Sequence, residues 1–524
     1  MKKILNYILY FIVSYLIGCS IILKFQIGNR ELYPISFIKF FHFNFLFFIK
    51  SFVVSIVILF VIYLLFKLLG LVKIRNNKNN FSNRFVIISS FIGIFISGLL
   101  FLLTYYPGSN MNDTLYIIKS PFSSATQHPL VYNLFLSGVF RIFNEIFNNL
   151  NSAFFFTSII QLMIMDVIIT YVIYFFNNKI NNKIITSLLL LFFIFLPIVS
   201  NYNTVLIKDS LFSGSLLLVI PILYKLVSSD GDILNNKKYL ISFILSFIFI
   251  SLVRNNGIYI ILFMFIILFI KYYKYRNNLF VCFIIVMIIS LIPNLFIKSE
   301  SLLQEKLAIP IQQIAYVVSY DNNISNNDFK YINNIMKIDK IKDNYNPYSV
   351  DSIKWSNDFN RKYLNKTKNN FYLLWFRLLP SHFESYVKSY LLNTYNLWAI
   401  DKFNYPQSRF LGINKDEFYD DGFYELSNKF IFPKKINNTL HIFYDKTIIF
   451  INEGLCFLIL VINILYMFYK KIYKYIIISM PLLSLWITLM ISTPLSSAFR
   501  YMSPFLYILP FLVVISLYEK SSSN

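Results

Sequence analysis

The chain is short of acids. Its 524 residues include 25 Asp and Glu against 48 Lys and Arg, and charged residues make up only 14% of it. Soluble domains carry about 25% charged residues, so this composition excludes an ordinary water-facing surface. Cysteine is scarce too: Cys19, Cys282 and Cys456 stand singly in apolar runs, which predicts neither a disulfide framework nor a metal site. There is no P-loop, no GxSxG, no HExxH and no CxxC, so nucleotide hydrolysis, serine hydrolysis and zinc-protease chemistry have no local support. Energy for any biosynthetic step must then arrive with the substrate, as it does in a lipid-linked phosphate donor.

What the chain has in abundance is apolar helix. Hydrophobic residues are 57% and aromatics 19%, in runs of the roughly 20 residues that cross a hydrocarbon core. Closed helices are the reading, because hydrocarbon offers backbone groups no partners. The sequence predicts an all-α polytopic membrane protein of about twelve spans, at 4-24, 46-72, 84-105, 152-176, 184-200, 209-227, 239-254, 257-271, 279-297, 446-469, 474-492 and 500-518. The first run, after MKK, lacks a small-residue cleavage site and reads as an uncleaved span. A formal charge of +23 would suit nucleic acid, but the excess Lys and Arg sit mainly in short loops between apolar runs, where they set topology.

Those cations predict cytoplasmic N- and C-termini. Lys73, Arg75, Lys78 and Arg84, then Lys179 and Lys183, Lys225, Lys237 and Lys238, Lys271, Lys274 and Arg276, and Lys470, Lys471 and Lys474 fall on one side; only the loop with Lys24, Arg30, Lys39 and Lys50 dissents. The organisation expected is a two-span hairpin (1-83), a core bundle (84-297) with a first external loop at 105-151, an external, partly helical soluble domain (298-445) between spans 9 and 10, and a three-span segment (446-524). Within the loop, PLVYNLFLSGVFRIFNEIFNNL is expected to lie as an amphipathic helix in the interface.

The external domain holds 16 of the 25 acids, leaving nine elsewhere. Asp113, in YYPGSNMNDT after a Pro-Gly turn, is a candidate general base or divalent-cation ligand; it would also serve as a helix cap. His128, before Pro129, suits a cation, a phosphate or an acceptor hydroxyl, or is an interfacial polar residue at a helix start. Lys208 and Asp209 open the sixth span as a functional pair or as an ion pair plus cap. Arg254 in LVRNNGIY and Arg500 in FRYMSP, beside Tyr501, suit a phosphate or snorkel to headgroups. Asp166, inside the fourth span, reads as a bundle-internal polar residue bonded to a neighbour, or as a proton relay.

YYPGSNMNDT followed by TQHPLVYNLF resembles the first external loop of bacterial GT-C type glycosyltransferases, in a branch without characterised members. IKDSLFSG, LVRNNGIY, LAIPIQQIAYVV and FRYMSPF continue the likeness from about residue 100 to 505. The resemblance implies a GT-C-like helical bundle in a bacterial plasma membrane, moving a sugar from a polyprenyl-phosphate carrier to an envelope glycan, lipid or protein. Asp113 would be the base or metal ligand, with Arg254, Arg500 and, more loosely, Lys208 on the donor phosphate. The loop has Asn112 where better-known members have a second acid, which puts a Mg or Mn requirement in doubt. WWDYG is absent, arguing against an asparagine acceptor. Two other classes stay open: a lipid-linked substrate transporter or flippase coupled through Asp166, and an O-antigen-type polymerase or ligase relying on an external Arg and His.

Overall fold

A computed structural model describes residues 2–27, 44–71, 80–297, 302–321, 323–400, 410–414, 423, 425–446, 452–492 and 499–519. Arg30, Lys39, Lys73, Arg75, Lys78 and the stretch before Phe499 lie outside them. The described residues form helices and no strand, with two isolated bridges, Asn110 to Leu206 and Asn346 to Ser349. Nine helices among them are long and apolar enough to cross a membrane: Asn6–Phe25, Phe45–Leu71, Asn83–Thr104, Leu130–Phe147, Leu150–Ile180, Lys208–Ser228, Tyr273–Phe296, Tyr473–Ser492 and Phe499–Tyr518. The chain is a multi-pass helical membrane protein.

The twelve expected spans are not matched one for one. The run at 184-200 breaks into Lys183–Phe195 and Pro197–Thr204, bent by 61°, because Pro197 cannot donate the hydrogen bond that would continue the first helix. The runs at 239-254, 257-271 and 446-469 form Lys237–Val253, Gly257–Lys271 and Glu453–Tyr469, of 17, 15 and 17 residues, shorter than the roughly 20 of a full crossing.

Leu130–Phe147 is long and apolar enough to cross, yet its neighbours place both of its ends at one end of the bundle. It starts beside His128, whose ring meets Lys208, and it finishes where Phe147 stacks on Phe156 at 4.6 Å. Two residues beyond Phe156, Ser158 lies against Gly108 of the same loop that carries Asp113. One stripe, Leu130, Asn133, Leu136, Ser137 and Phe140, is buried, while Val131, Leu134, Ile142 and Ile146 are exposed. That is the disposition of an interface-lying helix.

Lys208–Ser228 is the central helix, buried on nearly every side and packed against Leu150–Ile180, Lys237–Val253 and Ser503–Tyr518. Ser210, Ser213, Gly214 and Ser215 allow the close approach; a Cβ on Gly214 would lie 2.8 Å from the Met165 sulfur. The hairpin packs Lys2–Ile27 on Phe45–Leu71, with Gly18 facing the Ser51 carbonyl, and docks Ile62 and Phe66 against Leu465 and Tyr466.

Residues 307–399 bury a second apolar cluster, including Val317, Ile353, Leu364, Leu374 and Tyr386, to which Leu23 and Phe47 of the N-terminal hairpin also belong. The rest of the expected external domain packs differently. Phe423 and Leu426 join the bundle core, and Lys434–Asp445 packs on Asn83–Thr104 and Pro197–Thr204.

Candidate functional site

The loop after Asn83–Thr104 is held by its backbone. Ser109 carbonyl accepts from Leu206 N–H at 3.1 Å, Ser109 Oγ accepts from Gly412 N–H at 3.0 Å, and Asn110 exchanges side-chain bonds with the Asn414 backbone at 2.6 and 2.9 Å. Gly108 is obligatory here: its φ is +142°, and a Cβ would meet Ser158 Oγ at 2.8 Å and Phe154 at 3.0 Å. The chain then enters the short helix Asn112–Lys119, where Thr114 Oγ1 accepts from Met111 N–H at 3.2 Å and donates to the Leu206 carbonyl at 2.7 Å. Asp113 is thus not the cap; Met111 holds that position, and the carboxylate stands in the first turn.

These bonds bring Asp113 to Lys208, since Leu206 lies two residues before the central helix begins. Residues 119–128 fold back onto Leu130–Phe147: Asn133 Nδ2 donates to the Pro121 carbonyl at 3.0 Å and to Ser124 Oγ at 2.9 Å, and Ser137 Oγ donates to the Ile118 carbonyl at 2.9 Å. That fold aims His128 inward, where Lys208 Nζ lies 2.5 Å from its Nδ1. An ammonium has donors only, so Nδ1 accepts and the neutral ring keeps its proton on Nε2. Nε2 faces Asp113 Oδ2 at 4.0 Å.

Lys208 and Asp209 do not pair with each other. Successive helical residues point about 100° apart, so neighbours in sequence do not face one another. Lys208 turns to His128, and Asp209 Oδ1 accepts from Arg254 Nη1. Asp209 Oδ2 has no partner among the described residues. Arg254 ends Lys237–Val253 in a turn closed by the Gly257 N–H to Arg254 carbonyl bond of 2.8 Å. Its guanidinium points into the protein rather than to headgroups, 4.8 Å from the Tyr501 ring. The other guanidinium, Arg500, sits 4.7 Å from the same ring. Arg500 donates to Tyr501 Oη at 2.8 Å, touches the Met111 sulfur, and faces Asp113 Oδ2 at 3.9 Å.

All six residues expected at the site, Asp113, His128, Lys208, Arg254, Arg500 and Tyr501, therefore meet at one end of the bundle. Sequence reading left Asp209 out of its site residues and missed Met111; Asp209 carried a signal as one of the few carboxylates outside residues 298–445. Asp166 stands apart. It is buried in Leu150–Ile180, accepts from Thr170 Oγ1 at 3.3 Å, and leaves Oδ2 without a partner among the described residues.

The charges are arranged around an opening. The Asp113 side chain is 40% exposed, while those of His128 and Arg500 are 7% and 10% exposed. Partial burial acts to raise the Asp113 pKa, but the adjoining His128, Arg500 and Lys208 charges outweigh it and hold the carboxyl below its usual value. Burial, then Lys208, push His128 down to about 3, with Asp113 opposing and Arg500 adding to the fall. The ring is uncharged at neutral pH, so its pull on Asp113 acts only in acid.

Three cationic side chains against two carboxylates leave the site with positive charge in excess, a setting for an anion. Among the described residues no group of three or more His, Cys, Asp or Glu could hold a metal ion. Asp113, with the Arg500 and Lys208 cations beside it, does not fit a divalent ion.

A model for a family of unknown function, DUF6020, matches residues 119–524. That range contains His128, Lys208, Arg254, Arg500 and Tyr501, and Asp113 precedes it. Comparison with curated proteins and with solved structures finds no match.

Proposed function

This chain belongs to the DUF6020 family, and from its cluster of one open carboxylate and three cations we propose that it is a glycosyltransferase of the GT-C type. It moves a sugar from a polyprenyl-phosphate carrier to an envelope acceptor at the outer face of a bacterial plasma membrane. The observation that carries this reading is the convergence on Asp113 of His128, Lys208 and Arg500, with Arg254 behind them, from four separate elements. The motif resemblance from about residue 100 to 505 supports it.

The chemistry divides between the two kinds of group. An acceptor hydroxyl hydrogen-bonds to Asp113 Oδ2, which neither His128 nor Arg500 reaches at hydrogen-bond distance. Its oxygen attacks the anomeric carbon from the side opposite the phosphate, its proton passes to Asp113, and the sugar–phosphate bond breaks with inversion. The lipid phosphate leaves with the electron pair, stabilised by Arg500 and Lys208. Arg254, tied to Asp209, holds Tyr501 and through it the Arg500 fork.

The low proton affinity of Asp113 fits this order of events. Arg500 and Lys208 keep it ionised and weakly basic. A donor phosphate between Arg500 and Lys208 neutralises part of that field, so Asp113 becomes a stronger base only once the donor is in place.

The test uses the full-length protein in lipid vesicles with a polyprenyl-phosphate-linked sugar. Asp113→Asn is expected to lower transfer by about 10²- to 10⁴-fold, the usual worth of a positioned base, with donor binding retained. Unchanged transfer overturns the base assignment. Asp166→Asn is expected to leave transfer unaltered; flux of lipid-linked substrate that depends on Asp166, with no transfer, would favour the transporter instead.

A further inference from the structure

An amphipathic segment beside the site faces outward, its apolar stripe uncovered among the described residues. Lys434–Asp445 exposes Ile436, Ile442 and Phe443, and just ahead of it Phe430 is 76% exposed and Ile431 about half exposed. Ile436, Leu440 and Phe443 recur at the spacing of one helical face. The adjacent face, with Asn437 and Tyr444, is buried against Asn83–Thr104 and Pro197–Thr204. Tyr444 meets Phe101 at 4.7 Å, and Tyr105 Oη lies 2.6 Å from His441 Nδ1. Lys429, Lys434, Lys435 and Lys446, all exposed, surround the apolar stripe.

Two features identify what covers that stripe. The first is continuity. Phe85, Ile88, Ile92, Ile96 and Leu100 form the exposed, lipid-facing row of Asn83–Thr104, and the helix docked at the end of that row prolongs the apolar surface around the corner. The second is charge: a stripe of Phe and Ile flanked by lysines matches the boundary between acyl chains and anionic headgroups, where the apolar side sinks about 5–10 Å and each cation attracts phosphate.

We propose that residues 429–446 form an interfacial foot that binds the anionic lipid surface at the Asp113 end of the bundle. The foot is bonded to the loop that carries Asp113. Lys429 N–H donates to the Tyr106 carbonyl at 2.9 Å, and Tyr106 directly precedes the Pro107–Gly108 turn. A lipid-borne ligand moving along the lipid-facing side of Asn83–Thr104 would reach the foot as it nears Asp113. The inference does not depend on the transferase reading, because it concerns a lipid contact that a transporter could equally use.

The full-length protein, with benzoylphenylalanine in place of Phe430, Phe443 or, as a control, Asn438, is reconstituted in phosphatidylcholine vesicles with and without phosphatidylglycerol and irradiated. Expected are lipid adducts at positions 430 and 443 but not at 438, rising several-fold with phosphatidylglycerol. Exchanging Lys429, Lys434 and Lys435 together for Gln removes that rise; the three side chains are exposed, and size exclusion and thermal melting establish that the variant is folded. Absence of lipid adducts at 430 and 443, or adducts to protein alone, overturns the foot. Equal yields in the two vesicle types overturn its anionic partner.

Discussion

At the residue scale the site turns on how few groups surround Asp113 and how unlike they are. His128 is neutral because burial and the neighbouring Lys208 ammonium both oppose a second positive charge. Its pKa falls from 6.5 to about 3 on folding, so between those values the unfolded chain binds a proton that the folded chain does not. Stability from this group is whole above about pH 6.5 and is lost as pH falls toward 3. His128→Gln is expected to flatten that part of the melting-temperature profile of the purified protein. A profile with the wild-type slope would show that His128 does not titrate in this way. The same scale explains why Lys208 and Asp209 were misjudged as a pair: adjacency in sequence is not adjacency on a helix, and the partners, His128 and Arg254, come from elsewhere in the chain.

At the element scale, turns place these side chains. The Asn-Gly turn after Lys237–Val253 works because Gly257 packs its Cα against the chain before it; a Cβ there would lie 2.5 Å from the Ile250 carbonyl oxygen. Gly257→Ala is expected to cost about 1–3 kcal/mol, since a backbone atom must move and Arg254 moves with it. Gly138→Ala, in a helix where an added Cβ meets nothing within 4 Å, is expected to be neutral or to stabilise by up to about 1 kcal/mol through helix propensity. Thermal melting of both variants checks the contrast, and equal shifts would contradict it. Helix positions were legible from apolar runs because the requirement is local. The break at Pro197 and the short lengths of Lys237–Val253 and Gly257–Lys271 were less so, because packing against neighbours lets a helix in a bundle end early.

At the scale of the whole molecule, the elements sort into two ends. Asp113, His128, Lys208, Arg254 and Arg500 gather at one. At the other, Lys474 pairs with Asp230 at 3.1 Å, Tyr518 Oη donates to the Lys179 carbonyl at 3.1 Å, and Tyr224 Oη donates to Glu519 at 2.5 Å. The short loops at that second end are richer in cations than those at the first, from which we propose that it faces the cytoplasm. A cysteine placed at exposed Asn148 is therefore expected to react with an impermeant maleimide in intact cells, and one at exposed Asp230 only after permeabilisation. The reverse pattern would invert the topology and put the site inside.

Composition and periodicity alone determined the membrane class, most helices and a short list of carboxylates, because hydrocarbon demands long apolar runs and makes every polar interruption visible. They also put the candidate residues on one side, since each crossing reverses the chain. Only the tertiary structure decided which of those residues meet. Arg254 turned inward to Asp209 and Tyr501, Lys208 took His128 rather than Asp209, and Asp113 was left open beside Arg500, because pairing across hundreds of residues depends on how helices pack and not on the order in which they occur. The sharing of residues 298–445 between a separate apolar cluster and the bundle core was hidden for the same reason: polar composition marks a segment as leaving the membrane and is silent on what it returns to touch.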